Sequence, residues 1–224
     1  MHNLLLSLGF TKYIVQGGDI GSYISRTIAA TYDECKAVHL NFCMMPDPSP
    51  SAPLPVSELE AQGLQRMQRF KESGMSYGQM QGHRPSTIGH VLSASPLALL
   101  AWIGEKFLQW TDPEHPLPLE TVLADVTLYW LTECFPTCIY TYRQDFAVPP
   151  TEGYFHGQKD LFIRKKMGYS YFRWELGPIP RSWAETSGNL VWFGKHEKGG
   201  HFAALERPEE LLGDVEEFLK IAWP

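Results

Sequence analysis

The hexapeptide Gly17-Gly18-Asp19-Ile20-Gly21-Ser22 is the stretch of this chain best suited to chemistry. It follows the β-branched and aromatic run Tyr13-Ile14-Val15 and precedes a helical pattern, so Asp19 lies at a strand-to-helix turn between small residues. A turn this sharp forces its central residue into a strained backbone conformation, and side chains at the flanking positions would collide. The gain is a carboxylate pushed out at a helix N-terminus, where the dipole keeps it ionised and nucleophilic. The backbone N–H of Ile20 would then point toward any oxyanion formed on Asp19. Taken alone, the same residues also read as a glycine-rich turn with an aspartate N-cap.

A carboxylate nucleophile produces an ester, which needs a water-activating base, and that base needs an orienting acid. Of the eight histidines, His201 stands in Gly199-Gly200-His201-Phe202, just past a predicted strand and just before the last helix. Its loop setting makes it the candidate general base. Glu175, in Trp174-Glu175-Leu176-Gly177-Pro178, follows the preceding strand and is the candidate acid. Asp160, Glu185 and Asp214 are expected to be solvated surface charges.

The elements that must position these groups fall in three parts. Residues 1–45 read as α/β: a helix end at Leu4, Leu5, Leu8 and Phe10 stopped by Gly9, a strand at Tyr13-Ile14-Val15, a helix, and a second buried strand over Cys35–Phe42. Ile20, Ile24 and Ile28 recur at helical spacing and, with Tyr23, predict the buried face of that helix. Residues 46–150 open on Pro46, Pro48, Pro50, Pro53 and Pro55, which continue neither helix nor central strand, and close on Val148-Pro149-Pro150. Between them lie predicted helices over Glu58–Ser73, Ile88–Trp110 and Leu119–Tyr142, an all-helical insert that reads either as a cap or as a second domain. Residues 151–224 return to α/β, with strands over Tyr169–Trp174 and Leu190–Phe193. A last helix over Pro208–Ile221 turns Leu211, Leu212, Val215, Phe218 and Leu219 inward.

Composition excludes several classes. The 224 residues include seven Trp, ten Tyr and twelve Phe, too many for a solvated coil. A net charge of −6 offers no basic surface for nucleic acid. The start has no basic n-region or cleavage site, and the most apolar run, Val91–Ile103, is too short for a bilayer span. Cys35, Cys43, Cys134 and Cys138 have neither disulfide-scaffold nor zinc-site spacing and read as reduced, mostly buried thiols of a cytoplasmic protein.

The stretches YIVQGGDIGSYISRTIA, KAVHLNFC, RPSTIGHVLSASPLALLAWIGEKF, LYWLTECFP, PIPRSW and GGHFAALERPEEL, spread over nearly the whole chain, resemble epoxide hydrolases of the microsomal type, fungal branch, in the α/β-hydrolase superfamily. The resemblance implies a partial α/β-hydrolase fold, the C-terminal half of the mostly parallel sheet, with a helical cap. The hexapeptide then becomes a nucleophile elbow with Asp in place of Ser, in the chain order nucleophile, acid, histidine. It also implies two cap tyrosines that hydrogen-bond the epoxide oxygen, mapping to Tyr77 and Tyr142, with Tyr140 as an alternative to the second. Lipophilic or aromatic epoxides would be hydrolysed to vicinal diols through an ester on Asp19, in detoxification or catabolism. Metals and organic cofactors have no role in this reading. The partner is a small-molecule epoxide rather than nucleic acid or a bilayer, and self-association is left open.

The same resemblance implies strands ahead of the nucleophile strand and a His-Gly-x-Pro type loop carrying a second oxyanion donor. Without them the strand at Tyr13–Gln16 would form an apolar sheet edge, and the expectation is a truncated gene product. Two other readings stand beside the enzyme. One is a haloalkane-dehalogenase-like hydrolase, disfavoured by Ile20 where a halide-clamping Trp is common. The other is an inactive remnant.

Overall fold

The computed structural model describes residues 1–147 and 156–223. In chain order the elements are α1 (His2–Ser7), β1 (Tyr13–Gly17), α2 (Asp19–Thr31), β2 (Cys35–Leu40), α3 (Glu58–Arg69), α4 (Ser76–His83), α5 (Pro85–Ser93) and α6 (Pro96–Gln109). They continue with α7 (Leu119–Thr132), α8 (Phe135–Cys138), α9 (Tyr140–Ala147), β3 (Ile163–Trp174), α10 (Arg181–Glu185), β4 (Gly188–Gly200), α11 (Ala203–Glu206) and α12 (Pro208–Ala222). Two compact units result: Met1–Met67 together with Tyr154–Pro224, and Gln68–Gly153.

The first unit is built on a four-stranded parallel sheet in the order β1-β2-β3-β4. Strands covered on both faces read as nearly continuous apolar runs, as β2 and the middle of β3 do. Successive residues still serve opposite sides. Val38 and Leu40 pack with Met167, Tyr169 and Tyr171 toward Ile28 and Ala29 of α2, while Ala37 packs with Phe218 and Ala222 of α12. Full burial of an aliphatic such as Val38 or Leu40 contributes about 1.5–3 kcal/mol over leaving it exposed. Both β3 and β4 run longer than their apolar centres predict. Their charged residues still join the ladder, with Lys166 opposite Asn189 and Tyr171 opposite Lys195. Among the described residues β1 pairs only with β2, so it lies at a sheet edge.

Two predicted faces are corrected. Ile24 is 40% exposed and Ile20 is also exposed; the residues of α2 that are buried are Ser22, Ser25, Arg26, Ile28 and Ala29. The turn ahead of α2 sets its rotation, because Gly17 approaches the carbonyl of Gly21 and the hydroxyl of Ser25 so closely that this face must lie inward. In α12 Leu212 is exposed, and Asp214, expected in solvent, is buried.

The second unit begins at Gln68 rather than at Pro46. Residues 46–67 stay with the sheet because α3 is fastened to it. Gly63 lies against Tyr171, and Glu60 accepts hydrogen bonds from the Arg181 amide and from Ser57. The predicted far boundary, at Val148-Pro149-Pro150, lies outside the described residues. The predicted helix Ile88–Trp110 is two helices, since Pro96 cannot donate to a preceding turn and Ser95 caps the new helix by accepting from the Ala98 amide at 3.3 Å. Leu119–Tyr142 is likewise divided, by Glu133 in a left-handed conformation (φ 52°) and by Pro136 in the first turn of α8. Among the described residues no single helix is long and apolar enough to cross a membrane.

Candidate active site

Asp19 sits where β1 ends and α2 begins, with a left-handed φ of 44°. For a residue with a Cβ such a conformation costs on the order of 1–3 kcal/mol and persists only where its surroundings impose it. The preceding glycines do so. A Cβ on Gly17 would lie 2.2 Å from the Gly21 oxygen, and one on Gly18 would lie 2.7 Å from the Asn41 side chain. Asn41 is itself held, accepting from Gln16 Nε2 at 2.7 Å. The third glycine differs from expectation, since a Cβ on Gly21 meets nothing within 4 Å. Gly17→Ala is therefore expected to lower stability by about 1–3 kcal/mol or more through overpacking. Gly21→Ala, inside a helix, should instead be neutral or stabilise by up to about 1 kcal/mol. Thermal melting of the two variants beside the parent checks both.

The imidazole of His201 stands between two carboxylates. Its Nδ1 donates to Glu175 Oε1 at 2.6 Å, and its Nε2 lies 3.4 Å from Asp19 Oδ2. The loop that carries it is shaped by Gly199, at φ 82°, where a Cβ would press on Arg207 and Phe172. Glu206 braces the loop by accepting from the amides of Gly200 and Phe202, each at 3.0 Å. Glu175 leaves the end of β3, and its Oε1 also accepts from the Leu176 amide at 2.6 Å. Its backbone carbonyl accepts from Arg66 Nε of α3 at 3.0 Å.

Burial of His201 acts to lower its pKa, but the Glu175 carboxylate, the hydrogen bonds to Asp19 and Glu175, and the Asp19 charge together raise it to about 10. At neutral pH this favours the imidazolium form, placed between the two carboxyl groups. The exposures are unequal: Glu175 and His201 side chains are almost fully buried, whereas the Asp19 side chain is 51% exposed. This leaves Asp19 open on one side and the Glu175–His201 pair shielded. Ile20 occupies the second position of α2, where an amide has no partner from within its own helix.

Within the second unit, Tyr77 of α4 and Tyr142 of α9 come together, with Tyr142 Oη donating to Tyr77 Oη at 3.4 Å and the rings edge to face. The Tyr77 ring also meets Trp110, and Lys106 Nζ sits 4.8 Å from its centroid. Tyr140 is more exposed and takes no part in the pair. Among the described residues, Asp112, Glu114 and His115 form the group compact enough to hold a metal ion. Local turn bonds already engage that group, since both Asp112 oxygens accept, one from the Glu114 amide and one from His115 Nδ1.

No family model matches the chain. Over 223 residues it is 45% identical to the "Putative epoxide hydrolase" of Dothistroma septosporum, covering 100% of this chain and 51% of that one. The solved structure of Aspergillus niger epoxide hydrolase superposes with a TM-score of 0.88 at 51% identity, covering 99% of this chain and 55% of that one. Juvenile hormone epoxide hydrolase from the silkworm Bombyx mori gives a TM-score of 0.81 at 27% identity, over 98% of this chain and 58% of that one. The chain is an epoxide-hydrolase homologue. It spans about half the length of the curated relatives it matches, and its fold is the corresponding part of an α/β-hydrolase.

Two polar clusters of this epoxide-hydrolase homologue were not foreseen from the sequence. On the α12 side of the sheet, Ser170 donates to Asp214 at 2.5 Å, His39 Nε2 lies 3.0 Å from the Ser170 hydroxyl, and His196 Nε2 meets Asp214 at 2.6 Å. These partners are why Asp214 is inside: a carboxylate can be buried where hydrogen bonds replace its water. Burial lowers the pKa of His39 to about 4, with the Asp214 charge opposing. The second cluster joins Arg26, His156 and Ser22 behind the elbow. Its one trace in the sequence is the four-residue spacing of Ser22 and Arg26, which puts both on one helix face.

Proposed function

We propose that the chain hydrolyses lipophilic epoxides to vicinal diols through a covalent ester on Asp19. The observation that carries this reading is the carboxylate–imidazole–carboxylate line of Asp19, His201 and Glu175, with Asp19 on a left-handed elbow at a helix N-terminus. An Asp19 oxygen attacks an epoxide carbon, the carbon–oxygen bond of the ring breaks, and the released alkoxide takes a proton from Tyr77 or Tyr142, which regains one from solvent. Once the ester has formed, the His201 imidazolium gives up its proton to solvent, and water attacks the ester carbonyl while the neutral ring takes a proton from it and Glu175 stabilises the resulting cation. The Ile20 amide supports the oxyanion of that tetrahedral intermediate, which collapses to free carboxylate and diol.

The pairing of the two tyrosine hydroxyls supports their role as donors to the epoxide oxygen. Removing one such donor is expected to slow ring opening by roughly 10²–10³-fold. Tyr77→Phe and Tyr142→Phe should both show this, while Tyr140→Phe should match the parent, in single-turnover assays with styrene oxide. The aromatic character of the second unit, with Trp102, Trp110 and Tyr77 around Lys106, supports aromatic epoxides as substrates and hence a role in their detoxification or catabolism. The buried free thiols of Cys35 and Cys43 suit a reducing compartment such as the cytoplasm.

Incubation with styrene oxide tests the reading. Phenylethanediol, together with a transient increase in intact mass equal to that of the epoxide and located on Asp19, is the expected result. Absence of both, from a chain that melts cooperatively, overturns it.

A further inference from the structure

Arg26 has no exposed surface, yet among the described residues no carboxylate pairs with it. Its Nη1 donates to the carbonyls of Ser187 (2.8 Å) and Leu161 (3.1 Å), and its Nη2 donates to Ser187 Oγ (3.0 Å) and faces the sulfurs of Cys43 and Met167. A buried charge neutralised only by dipoles is expensive, and Met or Leu would fill the space without that penalty. What the guanidinium uniquely provides is direction. Its Nε–H can only donate, and it does so to His156 Nδ1 at 2.6 Å. That bond fixes the tautomer: Nδ1 accepts, so the ring proton is on Nε2, which donates to Ser22 Oγ at 2.9 Å. The Ser22 hydroxyl in turn donates to the backbone carbonyl of Asp19 at 2.5 Å. Every link has one polarity, and the last acts on the peptide group of the one non-glycine residue in this unit with a left-handed φ among those described. Stacking of His156 on Tyr23, and the edge contacts of Phe42 with both His156 and His201, hold the imidazole in place.

We propose that Arg26, His156 and Ser22 form a one-way hydrogen-bond relay that locks the backbone of Asp19 in its reactive conformation, making all three positioning residues for the nucleophile. The role rests on Asp19 being that nucleophile. A serine hydroxyl bonded to a carbonyl one turn back is also common in helices without any such role, so the test needs a matched control. Thr27 provides it, since its hydroxyl donates to the Tyr23 carbonyl at 2.9 Å in the same helix, off the relay.

Ser22→Ala should slow the appearance of the styrene oxide adduct on Asp19 by about 10- to 100-fold, as misplacement of a reacting group does, with Thr27→Ala close to the parent. His156→Gln, whose amide can accept from Arg26 and donate to Ser22, should retain most of the rate that His156→Leu loses. Amide hydrogen exchange of residues 17–23 should accelerate in Ser22→Ala and His156→Leu but not in Thr27→Ala. This arm needs no chemistry, so a parent chain that forms no adduct argues against Asp19 as nucleophile while the exchange data still decide the relay. Equal labelling and equal exchange in Ser22→Ala and Thr27→Ala, or no difference between His156→Gln and His156→Leu, overturns it.

Discussion

Asp19→Ala is expected to abolish adduct formation and to reduce diol production by at least ~10⁴-fold, the scale on which loss of a covalent nucleophile is felt. The argument is one of irreplaceability. Glu175, the other carboxylate on His201, cannot stand in, because it is almost fully buried and its Oε1 is held by His201 and the Leu176 amide. The effect on stability should be small by comparison. The side chain removed is half exposed, and His201, its one ionic partner among the described residues, keeps its 2.6 Å bond to Glu175. Alanine bears much the same left-handed cost that Asp19 already bears. Intact-mass spectrometry after exposure to styrene oxide, beside a thermal melt, separates loss of chemistry from loss of fold. A variant that still forms the adduct contradicts the assignment, and loss of the adduct supports it where the melt stays cooperative. Asp160→Ala, at an exposed site, is the control expected to behave as the parent.

The candidate site is more legible in the sequence than the packing around it. The elbow was legible because its requirement is local: Gly17 and Gly18 have neighbours within 3 Å of any added Cβ, and only glycine satisfies that. Glu175 and His201 were legible because each leaves the end of a strand in a loop whose residue types are restricted. The rotation of α2 was not. Periodicity favoured Ile20 and Ile24 as the inner face, but Gly17 presses on the opposite face and the polar Ser22, Ser25 and Arg26 go inside. Tertiary geometry overrode a hydrophobic pattern there, which happens where buried polar groups find partners. Asp214 follows the same logic. Nothing in the α12 pattern marks it as buried, because its partners Ser170 and His196 belong to β3 and β4. The breaks at Pro96 and Pro136 were present in the sequence, yet the apolar content on either side outweighed them in a reading by periodicity alone.

His201→Gln should arrest the reaction half-way, so that the ester on Asp19 accumulates to near one equivalent per chain while diol formation falls by about 10²–10⁴-fold, the range attributed to a general base. In the proposed mechanism ring opening does not use His201 as a base, so the first half-reaction should survive. The electrostatics explain how one residue can serve a site that begins with it protonated. In the resting site its pKa is raised to about 10, and two of the contributions come from Asp19, as a hydrogen bond and as a charge. Alkylation converts that carboxylate to a neutral ester, which removes the charge and weakens the bond, while burial continues to favour the neutral ring. The shift is therefore downward as the ester forms, toward the neutral ring that hydrolysis needs, with the Glu175 carboxylate still opposing it. Below the pKa of the alkylated site the ring stays protonated and hydrolysis slows, so in the parent the rate of ester loss should rise with pH and level off at a value below about 10. In His201→Gln the residual loss should lack that inflection and show only the dependence of hydroxide attack. Quenched-flow mass spectrometry of the pre-formed ester across pH reads both. An ester that decays at the parental rate in His201→Gln would remove the imidazole from the hydrolytic step.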